Sequence, residues 1–82
     1  MFNISKTIRK LMIDKNRSVT DIANNSGLLQ PSISRCLQKA DNDYRINFLN
    51  QIIRALDCSL QIQIIDNNTN DILYTISDTN TD

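Results

Sequence analysis

The 82-residue sequence has no histidine, no glutamate and no tryptophan, and only one glycine, one proline and two cysteines. Without histidine or glutamate, few groups remain for acid–base catalysis, and no glycine-rich loop could hold a phosphate. Cys36 and Cys58 are too far apart for a CxxC ligand pair, so we expect two reduced thiols and no metal. The sequence therefore predicts no enzyme, no cofactor and no metal site.

Long apolar segments are also missing. No apolar run approaches the roughly 20 residues of a membrane span. The basic N-terminal residues lack the apolar segment of a signal peptide. A mass of 9.4 kDa allows one domain, and so small a domain often gains stability from a partner subunit. We expect a cytoplasmic protein.

The net charge of zero argues against nucleic acid as a ligand, but the sum conceals a division. Residues 1–60 carry nine basic and five acidic side chains, a net charge of +4, whereas residues 61–82 carry four acidic side chains and no basic one. A basic segment followed by an acidic one indicates two different tasks.

Apolar residues recur with helical spacing up to residue 60 and with strand spacing after it. We predict helices over roughly 4–15, 18–26, 30–38 and 46–57. The runs LQIQII and ILYTI are separated by the turn-forming segment DNNTND and are typical of two strands of a hairpin. We therefore expect a mainly α fold, with a helical domain over 1–60, a strand or hairpin over 61–76 and a frayed or disordered tail over 77–82.

Residues 18–37 have the pattern of a helix-turn-helix. Ser18 is a good N-cap, and Asp21 is placed to complete a capping box. Gly27 stands where the helix must end and suits a left-handed C-cap, and Pro31 suits the first turn of the next helix.

The second helix of this motif displays side chains that suit base reading, since glutamine pairs with adenine, arginine with guanine, and proline can touch a thymine methyl. The predicted base-reading residues are Gln30, Pro31, Ser32, Ser34 and Arg35. The start of the preceding helix offers backbone N–H groups to a phosphate near Arg17, Ser18 and Val19. An ordinary solvated helix face is the alternative interpretation.

The segment resembles the Xre/Cro-CI family of helix-turn-helix DNA-binding domains, which have a lambda-repressor-like fold of four to five helices. The matching residues are Ser18, Ile22-Ala23, Gly27, Gln30 and the run from Ser32 to Arg35. The resemblance adds phosphate contacts after the recognition helix at Gln38, Lys39, Asn42, Tyr44 and Arg45. Leu29 stands at the position where the family usually has a residue that caps the recognition helix. Val19 and Leu37 also differ from the residues that are frequent in the family at their positions.

A closer similarity is to the HipB-type antitoxins of this family, in which a strand also follows the fourth helix. That similarity implies a homodimeric repressor in the bacterial cytoplasm, associated with the nucleoid when bound. It would bind a palindromic operator in double-stranded DNA, regulate its own operon and bind a HipA-type toxin kinase. The implied dimer interface comprises Leu60, Ile62, Ile64, Ile72, Tyr74 and Ile76.

Three alternatives remain. The protein could be a phage- or plasmid-type Cro/CI-like repressor without a toxin, or a protein-interaction module that has lost DNA binding. The apolar stripe of the hairpin could also pack on the helices of its own chain instead of forming a dimer interface. The sequence also leaves open whether the strands pair within one protomer or between two.

Overall fold

The computed structural model describes residues 3–38 and 45–78. Four helices are followed by a two-stranded antiparallel hairpin, as predicted. The elements are α1 (Ile4–Lys15), α2 (Val19–Ser26), α3 (Gln30–Gln38), α4 (Ile46–Ala55), β1 (Gln61–Ile65) and β2 (Ile72–Ser77).

Both ends of α2 form as the sequence indicates. The Ser18 hydroxyl accepts a hydrogen bond from the Asp21 N–H at 3.2 Å, and the Asp21 carboxylate accepts one from the Ser18 N–H at 2.8 Å. This is the predicted capping box. Gly27 has φ +79° and donates its N–H to the Ala23 carbonyl. The predicted left-handed cap is therefore confirmed.

Two further left-handed caps were not predicted. Asn16 (φ 54°) ends α1 and Asp57 (φ 62°) follows α4. In each case the amide of the next residue donates to the carbonyl five residues earlier, at 2.9 and 3.1 Å, which is a Schellman motif. The chain leaves the helical conformation at Asp57, so α4 ends at Ala55. The predicted end at residue 57 is therefore two residues too far.

The core is built by all four helices. Its fully buried large side chains are Ile8, Ile22, Ile33, Ile52 and Leu56. Burying a side chain of this size stabilises the fold by roughly 1.5–3 kcal/mol. No described hairpin residue belongs to this core.

The two strands pair with each other within the chain. Ile62 faces Ile76, and Ile64 faces Tyr74. Since alternate residues of a strand point to opposite faces, these four side chains share one apolar face. The register shifts after Ile64, so that Ile65 pairs with Ile72 and Leu73 has no partner across the strands. Every residue of β2 is exposed, so this stripe is not buried under the helices of its own chain. The alternative in which it packs on those helices holds only at Ile62 and Ile76, which line a cavity with residues of α4.

The hairpin is attached to α4 at its base. The Asp78 carboxylate accepts hydrogen bonds from the Asn50 amide at 3.0 Å and the Arg54 guanidinium at 2.8 Å. The hydrogen bond from Asn50, and then the Arg54 guanidinium, lower the pKa of Asp78. Ser77 is the last residue of β2. A disordered tail beginning at residue 77 is therefore wrong for these two residues, and residues 79–82 lie outside the described part.

Candidate nucleic-acid interface

The outer face of α3 brings together most of the predicted base-reading residues. Pro31 and Arg35 are exposed, as is Gln38, a predicted phosphate contact, and Ser34 beside them is half-buried. Spacings of three, four and seven residues place these four side chains on one side of a helix. Ser32 is half-buried and lies outside this set, at the flank of the helix.

Gln30, at the start of α3, is held by a residue that the sequence did not single out. Its side-chain amide nitrogen donates a hydrogen bond to the Thr20 hydroxyl on α2. This bond uses one N–H of the amide and leaves the other N–H and the carbonyl oxygen for the two-point pairing that a glutamine makes with adenine. The contact crosses the turn between two helices, so no periodicity in the sequence reveals it.

The other end of α3 is anchored by α1. The Ser5 hydroxyl donates to the Cys36 carbonyl at 3.2 Å, and the Arg9 guanidinium donates to the Leu37 carbonyl. Carbonyls at a helix C-terminus lack partners within the helix and carry partial negative charge, so a guanidinium suits them. These contacts fix α3 against α1.

The start of α2 offers fewer phosphate contacts than predicted. The N–H and hydroxyl of Ser18 are both engaged by Asp21, and the Arg17 guanidinium forms a 2.7 Å ion pair with Asp57. Within the described segments, the backbone N–H groups of Val19 and Thr20 have no hydrogen-bond acceptor. These two amides are the available donors at this helix end.

The capping box also sets the charge at this site. Hydrogen bonds from the Ser18 N–H and then from its hydroxyl, followed by the nearby charge of Arg17, lower the pKa of Asp21. The Asp21 carboxylate is ionised at neutral pH, and its lowered pKa extends the ionised range further into acid. An anion at a helix N-terminus is stabilised by the helix dipole.

A groove of about 620 Å³ runs between the end of α1, the start of α2 and α3. Its lining includes Arg17 and Val19 on one side and Ser34 and Gln38 on the other. The structure therefore places predicted phosphate-binding and base-reading residues on one continuous surface.

The remaining predicted phosphate contacts follow α3. Arg45 is exposed and precedes α4. Lys39, Asn42 and Tyr44 lie outside the described residues.

The described residues contain no group of three potential metal ligands. Cys36 and Cys58 are half-buried and free of disulfides. None of the helices in the described segments is long and apolar enough to cross a membrane.

Comparison with known proteins identifies the family. No curated protein and no solved structure matches the chain. The family described as the Cro/C1-type HTH DNA-binding domain matches residues 7–62, from α1 into β1. With the capped α2, the Gly27 turn and the exposed polar face of α3, this match shows that the chain belongs to the Cro/C1-type helix-turn-helix family of DNA-binding domains.

Proposed function

We propose that this protein is a sequence-specific transcriptional repressor that binds a palindromic operator as a homodimer. The observation that carries the proposal is the outer face of α3, where Pro31, Arg35 and Gln38 are exposed beside a Gln30 amide positioned by Thr20. A helix of this kind enters the major groove, and its exposed side chains read base edges. In a dimer the two α3 helices would lie about 34–36 Å apart, one turn of DNA.

Arg35 is the sharpest test of base reading. Duplexes selected from a random library by the wild-type protein supply the probe, and binding of Arg35→Ala is measured on the selected duplex and on its single-base variants. An arginine that pairs with guanine contributes about 1–3 kcal/mol of discrimination. We expect Arg35→Ala to lose its preference at one base pair.

Lys10→Ala is the matched control, because it removes the same charge from an exposed position on α1. We expect it to leave the base preferences unchanged. If Arg35→Ala weakens binding equally on every duplex, Arg35 contacts phosphate and not a base. If the wild-type protein selects no duplex and its binding does not weaken with salt, the repressor proposal is wrong.

The homodimer proposal is supported by the exposed apolar surface of the hairpin. Tyr74 is 72 % exposed, Ile64 47 % and Ile76 51 %. Charged residues and prolines usually keep an exposed strand edge from pairing with another chain. The two strands of this hairpin contain neither. An isolated hairpin is also only marginally stable in water. A second copy of the same hairpin supplies a matching apolar surface.

The exposed part of this face is smaller than a standard interface. Its apolar side chains that are about half exposed or more are Ile64, Tyr74 and Ile76, whereas Ile65 lies on the opposite face with Gln63. These three side chains present on the order of 350 Å² per protomer, against roughly 800 Å² per partner in a standard interface, so pairing between exposed strand edges would have to supply much of the remainder. Leu60, by contrast, is half-buried and lines a cavity with residues of α1 and α4. The interface proposed here therefore rests on the strands and not on Leu60.

Charged substitutions on the two faces of the hairpin test the interface. Ile64→Asp combined with Tyr74→Asp places two carboxylates on the apolar face. Gln63→Asp combined with Thr75→Asp places two on the opposite face, at the neighbouring cross-strand pair. Light scattering is expected to find monomers for the first variant and dimers for the second. A wild-type monomer, or a dimeric first variant, contradicts the proposed interface.

We further propose that the repressor is the antitoxin of a HipA-type kinase toxin and regulates its own operon in the bacterial cytoplasm. The support is the resemblance to HipB-type antitoxins and the strand that begins six residues after α4 ends. Asp66 and Asp71 flank the turn of the hairpin, which gives that end of the molecule the acidic character of a surface for a protein partner.

Footprinting on the protein's own promoter and co-purification from its host test this assignment. Protection of a palindromic site and capture of a kinase support the antitoxin role. Protection without capture of a kinase supports the Cro/CI-like repressor without a toxin. If Asp66→Asn with Asp71→Asn captures the kinase as well as the wild type does, the acidic turn is not part of the contact.

A further inference from the structure

Leu29 is an exposed apolar residue beside the base-reading surface. It lies in the turn between Gly27 and α3, and its side chain is 72 % exposed, whereas the preceding Leu28 packs against the core. A single exposed leucine is common on protein surfaces. At the start of α3, however, a leucine costs stability, because it cannot cap the helix.

Leu29 occupies the N-cap position of α3. Its carbonyl accepts hydrogen bonds from the N–H groups of Ser32 and Ile33, at 3.0 and 3.2 Å. A serine, threonine, asparagine or aspartate at this position would also accept a bond through its side chain, which a leucine cannot do. Leu29 forgoes this stabilisation and gains little packing in return. The side chain therefore contributes little to the stability of the isolated protein.

The neighbours of Leu29 indicate what it contacts. It precedes Gln30 and Pro31, so an amide positioned for adenine is flanked by two exposed apolar side chains. The N-terminal residues of a recognition helix are those that contact base edges. The C5-methyl of thymine is the apolar group that bases present in the major groove. The Gln30 amide is therefore complementary to an adenine, and the apolar side chains on either side of it are complementary to the methyl group of a neighbouring thymine.

We propose that Leu29 is a specificity-determining residue that contacts the C5-methyl of a thymine adjacent to the adenine read by Gln30. The inference rests on the proposed binding of operator DNA. The leucine excludes water from the methyl group, so discrimination comes from apolar contact and not from a hydrogen bond. This contact would favour A·T base pairs at the end of each half-site that Leu29 and Gln30 reach.

Deoxyuridine tests the contact, because it differs from thymidine only by the methyl group. Each thymine of the duplex selected by the wild-type protein is replaced in turn, and affinities are measured by fluorescence anisotropy. Loss of one buried methyl weakens an apolar contact roughly fourfold. We expect one thymine whose replacement weakens the wild-type protein by about that factor and leaves Leu29→Ala unaffected.

Pro31→Ala decides which side chain makes the contact, since Pro31 is the other exposed apolar residue next to Gln30 and is itself a predicted base-reading residue. If Pro31→Ala, and not Leu29→Ala, abolishes the sensitivity to deoxyuridine at that thymine, the contact belongs to Pro31 and the inference is wrong. Thermal melting of Leu29→Ala verifies that the fold is retained.

The outcomes separate this inference from the function on which it rests. If Leu29→Ala keeps the wild-type sensitivity to deoxyuridine, or if no thymine methyl affects wild-type binding, the contact is absent although the repressor proposal stands. If Leu29→Ala binds all duplexes more weakly with unchanged methyl sensitivity, Leu29 only positions the helix. If the wild-type protein selects no duplex, the repressor proposal fails and this inference with it.

Discussion

Replacing Gly27 by alanine tests the turn that sets α3 against α2. Gly27 has φ +79°, and among the described residues no heavy atom outside its immediate neighbours lies within 4 Å of where a Cβ would be. The substitution therefore meets no steric clash, and its cost lies in the backbone conformation. Holding an L-residue in the left-handed region costs roughly 1–2 kcal/mol.

Part of that cost is offset in the unfolded chain. Alanine has less conformational freedom than glycine when unfolded, which is worth roughly 0.4–1 kcal/mol in favour of the variant. The expected net loss in the free energy of unfolding is therefore about 1 kcal/mol. For a domain of this size it corresponds to a fall in Tm of about 4–8 °C.

Urea denaturation and thermal melting measure the effect at a fixed protein concentration, because the proposed homodimer would make the measured stability depend on concentration. Gly27→Asn is the control, since asparagine enters the left-handed region more readily. It should lose less than half as much as alanine. If Gly27→Ala is as stable as the wild type, or if asparagine costs as much as alanine, the conformational argument is refuted.

Three further predictions concern the core, the hairpin base and the start of α3. Ile22→Ala removes a fully buried side chain and should lower the free energy of unfolding by about 2–5 kcal/mol in urea denaturation. The pKa of Asp78 is lowered below its ordinary 3.8, first by the hydrogen bond from Asn50. The stabilisation by its carboxylate is therefore complete above about pH 5 and is lost as the pH falls below 3.8 through the pKa of the folded state. Asp78→Asn should show a shallower fall in Tm between about pH 5 and pH 2. Thr20→Val removes the acceptor that holds Gln30 and should weaken operator binding while leaving Tm nearly unchanged; equal binding would show that this hydrogen bond does not position the amide.

Local signals in the sequence account for the helices and their inward faces. The capping box of Ser18 and Asp21 and the left-handed Gly27 depend on residues within one turn of each other, so they could be predicted. The ends at Asn16 and Asp57 use the same left-handed conformation with residues that tolerate it less well than glycine. Neither residue is as clear a signal for a helix end as a glycine, so the sequence pattern extends α4 beyond its end at Ala55.

The candidate site was predictable in position but not in its contacts. Spacing alone places Pro31, Ser34 and Arg35 on the outer face of α3. The bond between Gln30 and Thr20 and the ion pair between Arg17 and Asp57 join residues 10 and 40 positions apart. Such contacts depend on how the helices pack, and the sequence pattern does not encode packing directly.

The sequence by itself determined the order of the helices, the turn at Gly27 and the polar outer face of α3, because each follows from local spacing and backbone preference. The tertiary structure decided which of those polar groups are free to bind DNA and which are engaged within the chain. It also decided that the strands pair with each other and lie outside the core, with most of their apolar side chains exposed. An alternating strand pattern shows that two faces differ, but only packing shows what covers them.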